Sequence, residues 1–135
     1  YGNVTGSASN NKTAGIVGMV EGSELNKVEL CKNYGEIKGA YFVGGIAGEI
    51  APSSTENGIF NSENYGSITS ISTTAKTNYG IIGGIVGRVT SSKVVTSKAK
   101  LSNCINYGDV TGAIATNSGV GGLLVFMMLK QQLMM

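Results

Sequence analysis

The chain has 135 residues, 21 of them Gly, with one Pro, no Trp and no His, and ten Lys+Arg stand against eight Asp+Glu for a net charge of +2. A chain without His lacks the imidazole general base, the Ser-His and Cys-His nucleophile pairs and the commonest zinc ligand. Without an Arg cluster or a strong charge excess there is no electrostatic footprint for nucleic acid. No apolar run reaches the roughly 18 residues of a membrane helix, so neither a nucleic-acid partner nor membrane insertion is expected.

Read in chain order, a first block, Tyr1-Gly2-Asn3-Val4-Thr5-Gly6, returns from Tyr34, from Tyr65 and from Tyr107. A second block follows each copy: Ala14-Gly15-Ile16-Val17-Gly18, then Gly44-Gly45-Ile46-Ala47-Gly48, Gly83-Gly84-Ile85-Val86-Gly87 and Gly121-Gly122-Leu123. A third block leads into the next Tyr-Gly and reads Cys31-Lys32-Asn33, Ser62-Glu63-Asn64 and Cys104-Ile105-Asn106. The tyrosines are 33, 31 and 42 residues apart, so the length differences fall in Ser-, Thr-, Asn- and Lys-rich connections such as 71–82 and 90–103. Insertions of that composition are surface loops on a fixed scaffold.

Each block is short, rich in Val, Ile and Thr, and alternates apolar with small or polar residues, the period-2 pattern of a half-buried strand. Three short strands per unit bury their apolar faces by stacking the same strand of successive units into parallel sheets. The expected fold is all-β, a right-handed parallel β-helix or β-solenoid of about three and a half coils, the hand following from the bias of parallel crossovers. An antiparallel β-sandwich is the alternative; it would need hairpin turns at regular spacing.

Stacking turns alignment columns into ladders. Asn33, Asn64 and Asn106 fall about 4.8 Å apart, close enough for each amide to bond the next; such a ladder is either a polar ligand surface or a structural turn. Tyr34, Tyr65 and Tyr107, with Tyr1 continuing them, form an aromatic column that either packs or lines a sugar-binding strip. Gly45, Gly48, Gly84 and Gly87 mark positions where the backbone approaches closely or takes a positive φ. A phosphate loop is a poor reading, because Gly44–Gly48 lacks the Lys-Ser/Thr ending. Cys31 and Cys104 share a column with Ser62 between them, about 9.6 Å apart at the strand spacing. A disulfide tolerates at most about 7 Å between Cα atoms, so both are expected as free, small, inward-facing thiols.

Glu36 and Asp109 share another column, but Ser67 separates them, whereas a glycosidase needs two carboxyls within about 5–9.5 Å. The acidic-Gly spacing of calcium-binding loops is also missing. The chain is therefore expected to be no enzyme and to hold no metal or cofactor.

The pairing of Asn-Tyr-Gly-x-[Val/Ile]-x-Gly with a downstream Gly-Gly-[Ile/Leu]-x-Gly resembles the GLUG motif repeats of bacterial cell-surface and secreted proteins, which also flank the catalytic domain of immunoglobulin-A-cleaving metallopeptidases. The resemblance covers residues 1–126, with Ala14 in place of the first Gly, Ser70 in place of the Gly that closes the first block, and Leu123-Leu124-Val125 in a divergent last copy. It implies a non-catalytic extracellular repeat module, acting as a stalk or adhesive spacer on the bacterial surface. Its partners would be adjacent repeats of a longer chain and a host protein or glycan met through the variable loops. The alternatives are an accessory region of a secreted peptidase and a carbohydrate-binding module using the Tyr column.

The grammar stops near the C-terminus. Residues 127–135 belong to a tail that holds four of the five Met. They read either as a helix capping the solenoid or as the product of a frame error or fragment boundary. The start inside Asn-Tyr-Gly at Tyr1 agrees with a fragment cut from a longer stack.

Overall fold

The computed structural model describes residues 2–8, 12–22, 26–52, 57–73, 80–90, 99–112 and 119–128. Among these every regular element is a strand. The first repeat holds β1 (Val4–Thr5), β2 (Lys12–Ala14), β3 (Val17–Gly22), β4 (Lys27–Glu29) and β5 (Lys32–Asn33). The second holds β6 (Ile37–Gly39), β7 (Phe42–Gly44), β8 (Ala47–Pro52), β9 (Asn57–Phe60) and β10 (Glu63–Asn64). The third holds β11 (Ile68–Ser70), β12 (Ile81–Gly83), β13 (Val86–Thr90), β14 (Ala99–Ser102) and β15 (Ile105–Asn106), and β16 (Val110–Thr111), β17 (Gly119–Gly121) and β18 (Leu124–Met128) follow.

Each strand pairs with the strand five positions further on, and every such pairing is parallel. Five sheets result: β1-β6-β11-β16, β2-β7-β12-β17, β3-β8-β13-β18, β4-β9-β14 and β5-β10-β15. The all-β, parallel architecture expected from the repeats is present, and the antiparallel sandwich has no antiparallel pair to rest on among the described residues.

Five strands per repeat replace the expected three, for two physical reasons. The second block is a corner rather than one strand: β7 ends at Gly44, the chain turns through Gly45-Ile46, and β8 begins at Ala47. The loop-like segment before each third block also contains a strand, β4, β9 or β14, whose backbone groups are paired across repeats. Met127 and Met128 continue β18, opposite Val89 and Thr90 of β13. Residues 129–135, on which the rest of the capping-helix reading falls, lie outside the described residues.

At the core positions the register stacks aliphatic on aliphatic. Val4, Ile37, Ile68 and Val110 form one column, and Ile37, Ile68, Val43 and Ile82 make a fully buried cluster with Val4 and Val110 against it. A second cluster joins Val20, Ile46, Ala47, Ile50, Ile59, Ile85, Val86 and Val89. A fully buried aliphatic side chain contributes about 1.5–3 kcal/mol, so the fully buried Ile residues of the middle repeats are the main hold on the stack. Val43 belongs to the first cluster and Ile46 to the second, so the Gly44-Gly45 step joins them along the chain, and Gly45 lies against the Asn64 side chain.

Candidate functional site

Asn33, Asn64 and Asn106 pair in register at the ends of β5, β10 and β15. Asn33 Nδ2 donates to Asn64 Oδ1 at 2.7 Å, and Asn64 Nδ2 donates to Asn106 Oδ1 at 2.7 Å. Each Nδ2 also donates to the carbonyl two residues ahead, at Gly35, Gly66 and Gly108, over 2.8–2.9 Å. Both amide hydrogens are thus used in a place where Asn64 is fully buried, as a buried polar side chain requires. The ladder faces inward onto glycine: a Cβ at Gly15 would lie 2.5 Å from Asn33 Cγ, one at Gly84 2.5 Å from Asn106 Cγ, and one at Gly45 would meet the Asn64 side chain. The Asn block and the Gly-Gly block are two halves of one contact. Gly122, the corresponding glycine after the last Asn of the series, has nothing within 4 Å.

Gly48 and Gly87 do a different job. A Cβ at Gly48 would lie 2.7 Å from the Gly18 carbonyl oxygen, and one at Gly87 2.7 Å from the Val43 nitrogen. They let the corner strand fold tightly against its neighbours, and neither takes a positive φ.

One residue along from the Asn ladder, the tyrosines turn outward. Tyr34 and Tyr65 stack with ring centroids 4.7 Å apart and 6° between planes, and Tyr65 and Tyr107 stack at 4.8 Å and 16°. Their exposures are 46%, 39% and 58%. Tyr1, the expected continuation, lies outside the described residues. Both faces of the Tyr65 ring are covered by its neighbours, so its edge and hydroxyl meet solvent. A pyranose stacks on an aromatic face, and Tyr65 has none free.

Beside the ladder, Lys32 and Glu63 are register partners. Lys32 Nζ lies 2.8 Å from Glu63 Oε2, and the Tyr65 hydroxyl donates to the same oxygen at 2.6 Å. The Lys32 hydrogen bond first, and the Tyr65 hydroxyl next, hold the Glu63 carboxyl below its ordinary value. Glu63 raises both Lys32 and Tyr65 in return, chiefly through the same hydrogen bonds.

Neither Cys31 nor Cys104 forms a disulfide, and both pack against the larger apolar cluster. Between them Ser62 is fully buried; its hydroxyl donates to the Phe60 carbonyl at 2.7 Å and accepts from the Cys31 N–H at 3.1 Å. Cys31 Sγ donates to the Glu29 carbonyl and Cys104 Sγ to the Ser102 carbonyl, each at 3.4 Å. The column thus closes the same turn in each repeat, with the thiols in place of the hydroxyl.

Several features escaped the sequence reading. Leu30, Asn61 and Asn103 share a turn position at φ 56°, 48° and 53°, the left-handed region that Asn tolerates and Leu does not. Asn103 Nδ2 donates to Asn61 Oδ1 at 3.0 Å, and Asn61 Nδ2 to Glu29 Oε1 at 3.1 Å, a second, exposed ladder. The signal available was Asn three residues before each later Asn-Tyr-Gly, interrupted by Leu30. An ionic cluster around a buried carboxylate also went unread: Glu49, 5% exposed, lies 3.3 Å from Lys12 Nζ and 3.5 Å from Arg88 Nε, and accepts from Thr90 Oγ1 at 3.3 Å. The Arg88 guanidinium sits 4.4 Å from the centroid of the buried Phe42 ring. These groups come from four strands, and only the register brings them together.

Glu36 pairs with Lys38 at 3.0 Å, on its own strand edge. Among the described residues no three His, Cys, Asp or Glu side chains gather as a metal site, and no helix is long and apolar enough to cross a membrane. The variable loops 71–82 and 90–103 lie in part outside the described residues, at 74–79 and 91–98. No protein-family model, curated protein or solved structure matches the chain.

Proposed function

We propose that the chain is a non-catalytic repeat module of a bacterial extracellular surface protein, serving as a stalk or adhesive spacer, and that its parallel sheets wind as a right-handed β-solenoid of about three and a half coils. The observation that carries this reading is the uniform pairing of every strand with the one five positions later, always parallel. Strands that repeat in this order, with the Asn and Gly columns in register, propagate a rod whose length grows with repeat number. The recurring residues are spent on that rod: the Asn ladder bonds repeat to repeat, the Gly column makes room for it, and the Cys/Ser column closes each turn. The length differences between repeats fall in the connections. The similarity of the Asn-Tyr-Gly and Gly-Gly-Ile-x-Gly blocks to GLUG repeats supports the surface location, with adjacent repeats of a longer chain and a host protein or glycan at the loops as partners.

An antibody raised against the chain tests the location: it should label intact cells of the source organism, and labelling only after permeabilisation would overturn the reading. A crystal structure of the chain tests the winding, since a left-handed course or an unclosed turn would remove the solenoid.

A further inference from the structure

We propose that Tyr34, Tyr65 and Tyr107 form a site of oxidative cross-linking, where a one-electron oxidant of the haem-peroxidase and hydrogen peroxide class joins neighbouring phenols as dityrosine and staples adjacent repeats covalently.

Three observations meet here. The rings are stacked at 4.7 and 4.8 Å between centroids, with 6° and 16° between planes, so the two phenols of each pair are held one strand spacing apart. The rings are 39–58% exposed, which gives an oxidant access and lets neighbouring rings splay about Cα–Cβ as the bond closes. The central hydroxyl already donates to Glu63 Oε2 at 2.6 Å, and Lys32 holds that carboxylate in place. Loss of one electron makes a phenol strongly acidic, so at Tyr65 the departing proton has its acceptor positioned in advance.

The chemistry balances. Each of two phenols loses one electron and its hydroxyl proton, giving phenoxyl radicals with spin on the ortho carbons. These couple to form one C–C bond, and each bonded carbon then releases its hydrogen to solvent while the oxygen regains a proton. Two tyrosines and one hydrogen peroxide become one dityrosine and two waters; the phenols are oxidised and the peroxide reduced.

The experiment oxidises the intact chain with a haem peroxidase and hydrogen peroxide at several protein concentrations, then digests it and maps linked peptides by mass spectrometry. Expected are intramolecular bridges from Tyr34 to Tyr65 and from Tyr65 to Tyr107, each lighter by two hydrogens, in a yield independent of protein concentration. Oxidation of the urea-unfolded chain should lower that yield by at least about tenfold, the loss of a proximity advantage. Tyr65→Phe, which keeps the ring, should abolish both bridges. Tyr34→Phe should remove only the first, and it serves as the deciding variant should Tyr65→Phe alter the circular dichroism spectrum. Absence of bridges, a yield that rises with protein concentration, or an equal yield from unfolded chain would each overturn the proposal.

Discussion

The Asn64 side-chain amide occupies the space where Gly45 would carry a Cβ. A methyl group there would also meet the Gly84 carbonyl of the next repeat, and neither a buried, fully bonded amide nor a paired backbone can give way. Gly45→Ala should therefore lower stability by roughly 3 kcal/mol, the upper end of overpacking costs. Gly122→Ala, whose added methyl meets nothing within 4 Å, should stay within about 0.5 kcal/mol of the parent. Urea denaturation followed by circular dichroism measures both, and equal effects would refute the pairing of the Asn and Gly blocks.

The same contact ranks the asparagines. Removing the Asn64 amide leaves Asn33 Nδ2 without its cross-repeat acceptor and Asn106 Oδ1 without its donor. With a cost of about 1–3 kcal/mol for each buried group left unsatisfied, Asn64→Ala is expected to cost more than Asn106→Ala. Asn106 is only half-buried, and its removal leaves a single ladder group, Asn64 Nδ2, without its cross-repeat acceptor. Denaturant midpoints for the two variants check the order.

Much of this architecture was legible from columns alone. Asn33, Asn64 and Asn106 could be aligned by eye, and their bonding follows from the strand spacing. The corner at Gly45 was not legible, since Gly-Gly-Ile-Ala-Gly alternates like a strand and the Asn64 contact that requires glycine there comes from a distant block. Glu49 looked like an ordinary surface residue because its partners, Lys12 and Arg88, belong to the repeats on either side. The left-handed turn was hidden by its one poor occupant, Leu30.

That occupant suggests a stabilising change. Leu30 sits at φ 56° and is 75% exposed, so it contributes strain and little burial. A left-handed conformation costs an ordinary L-residue about 1–2 kcal/mol, and Asn bears it more easily. Leu30→Asn should raise stability by about 1 kcal/mol and place an acceptor in the ladder beside Asn61. A rise in thermal midpoint checks it, and Asn61→Leu should shift the midpoint the other way.

The cysteine column makes a prediction about chemistry as well as size. Because Ser62 closes the same turn through its hydroxyl, Cys31→Ser and Cys104→Ser should each fall within about 1 kcal/mol of the parent, the net worth of one such hydrogen bond. Cys31→Val, which packs but cannot donate to Glu29, should be the less stable. Alkylation without reductant, read by mass, should label both thiols of the parent chain.

The Lys32–Glu63–Tyr65 group sets the pH behaviour of the exposed ladder. The Glu63 carboxyl is held below its ordinary value, so its contribution is present above the ordinary carboxyl range and is lost as pH falls through the lowered value. Lys32 and Tyr65 are both raised, so their contribution is present below their ordinary values and is lost as pH rises through the raised ones. Across neutral pH both bonds to Glu63 persist. Lys32→Met should move the Glu63 titration upward, toward but not onto its ordinary value, because the Tyr65 hydroxyl still donates to the carboxylate. Lys32→Met with Tyr65→Phe should complete the return. Carboxyl-carbon NMR titration reads both shifts, while the thermal midpoint at neutral pH should barely move, as for other exposed ion pairs. A Glu63 titration unchanged in Lys32→Met would show that the carboxylate is held by something other than its register partner.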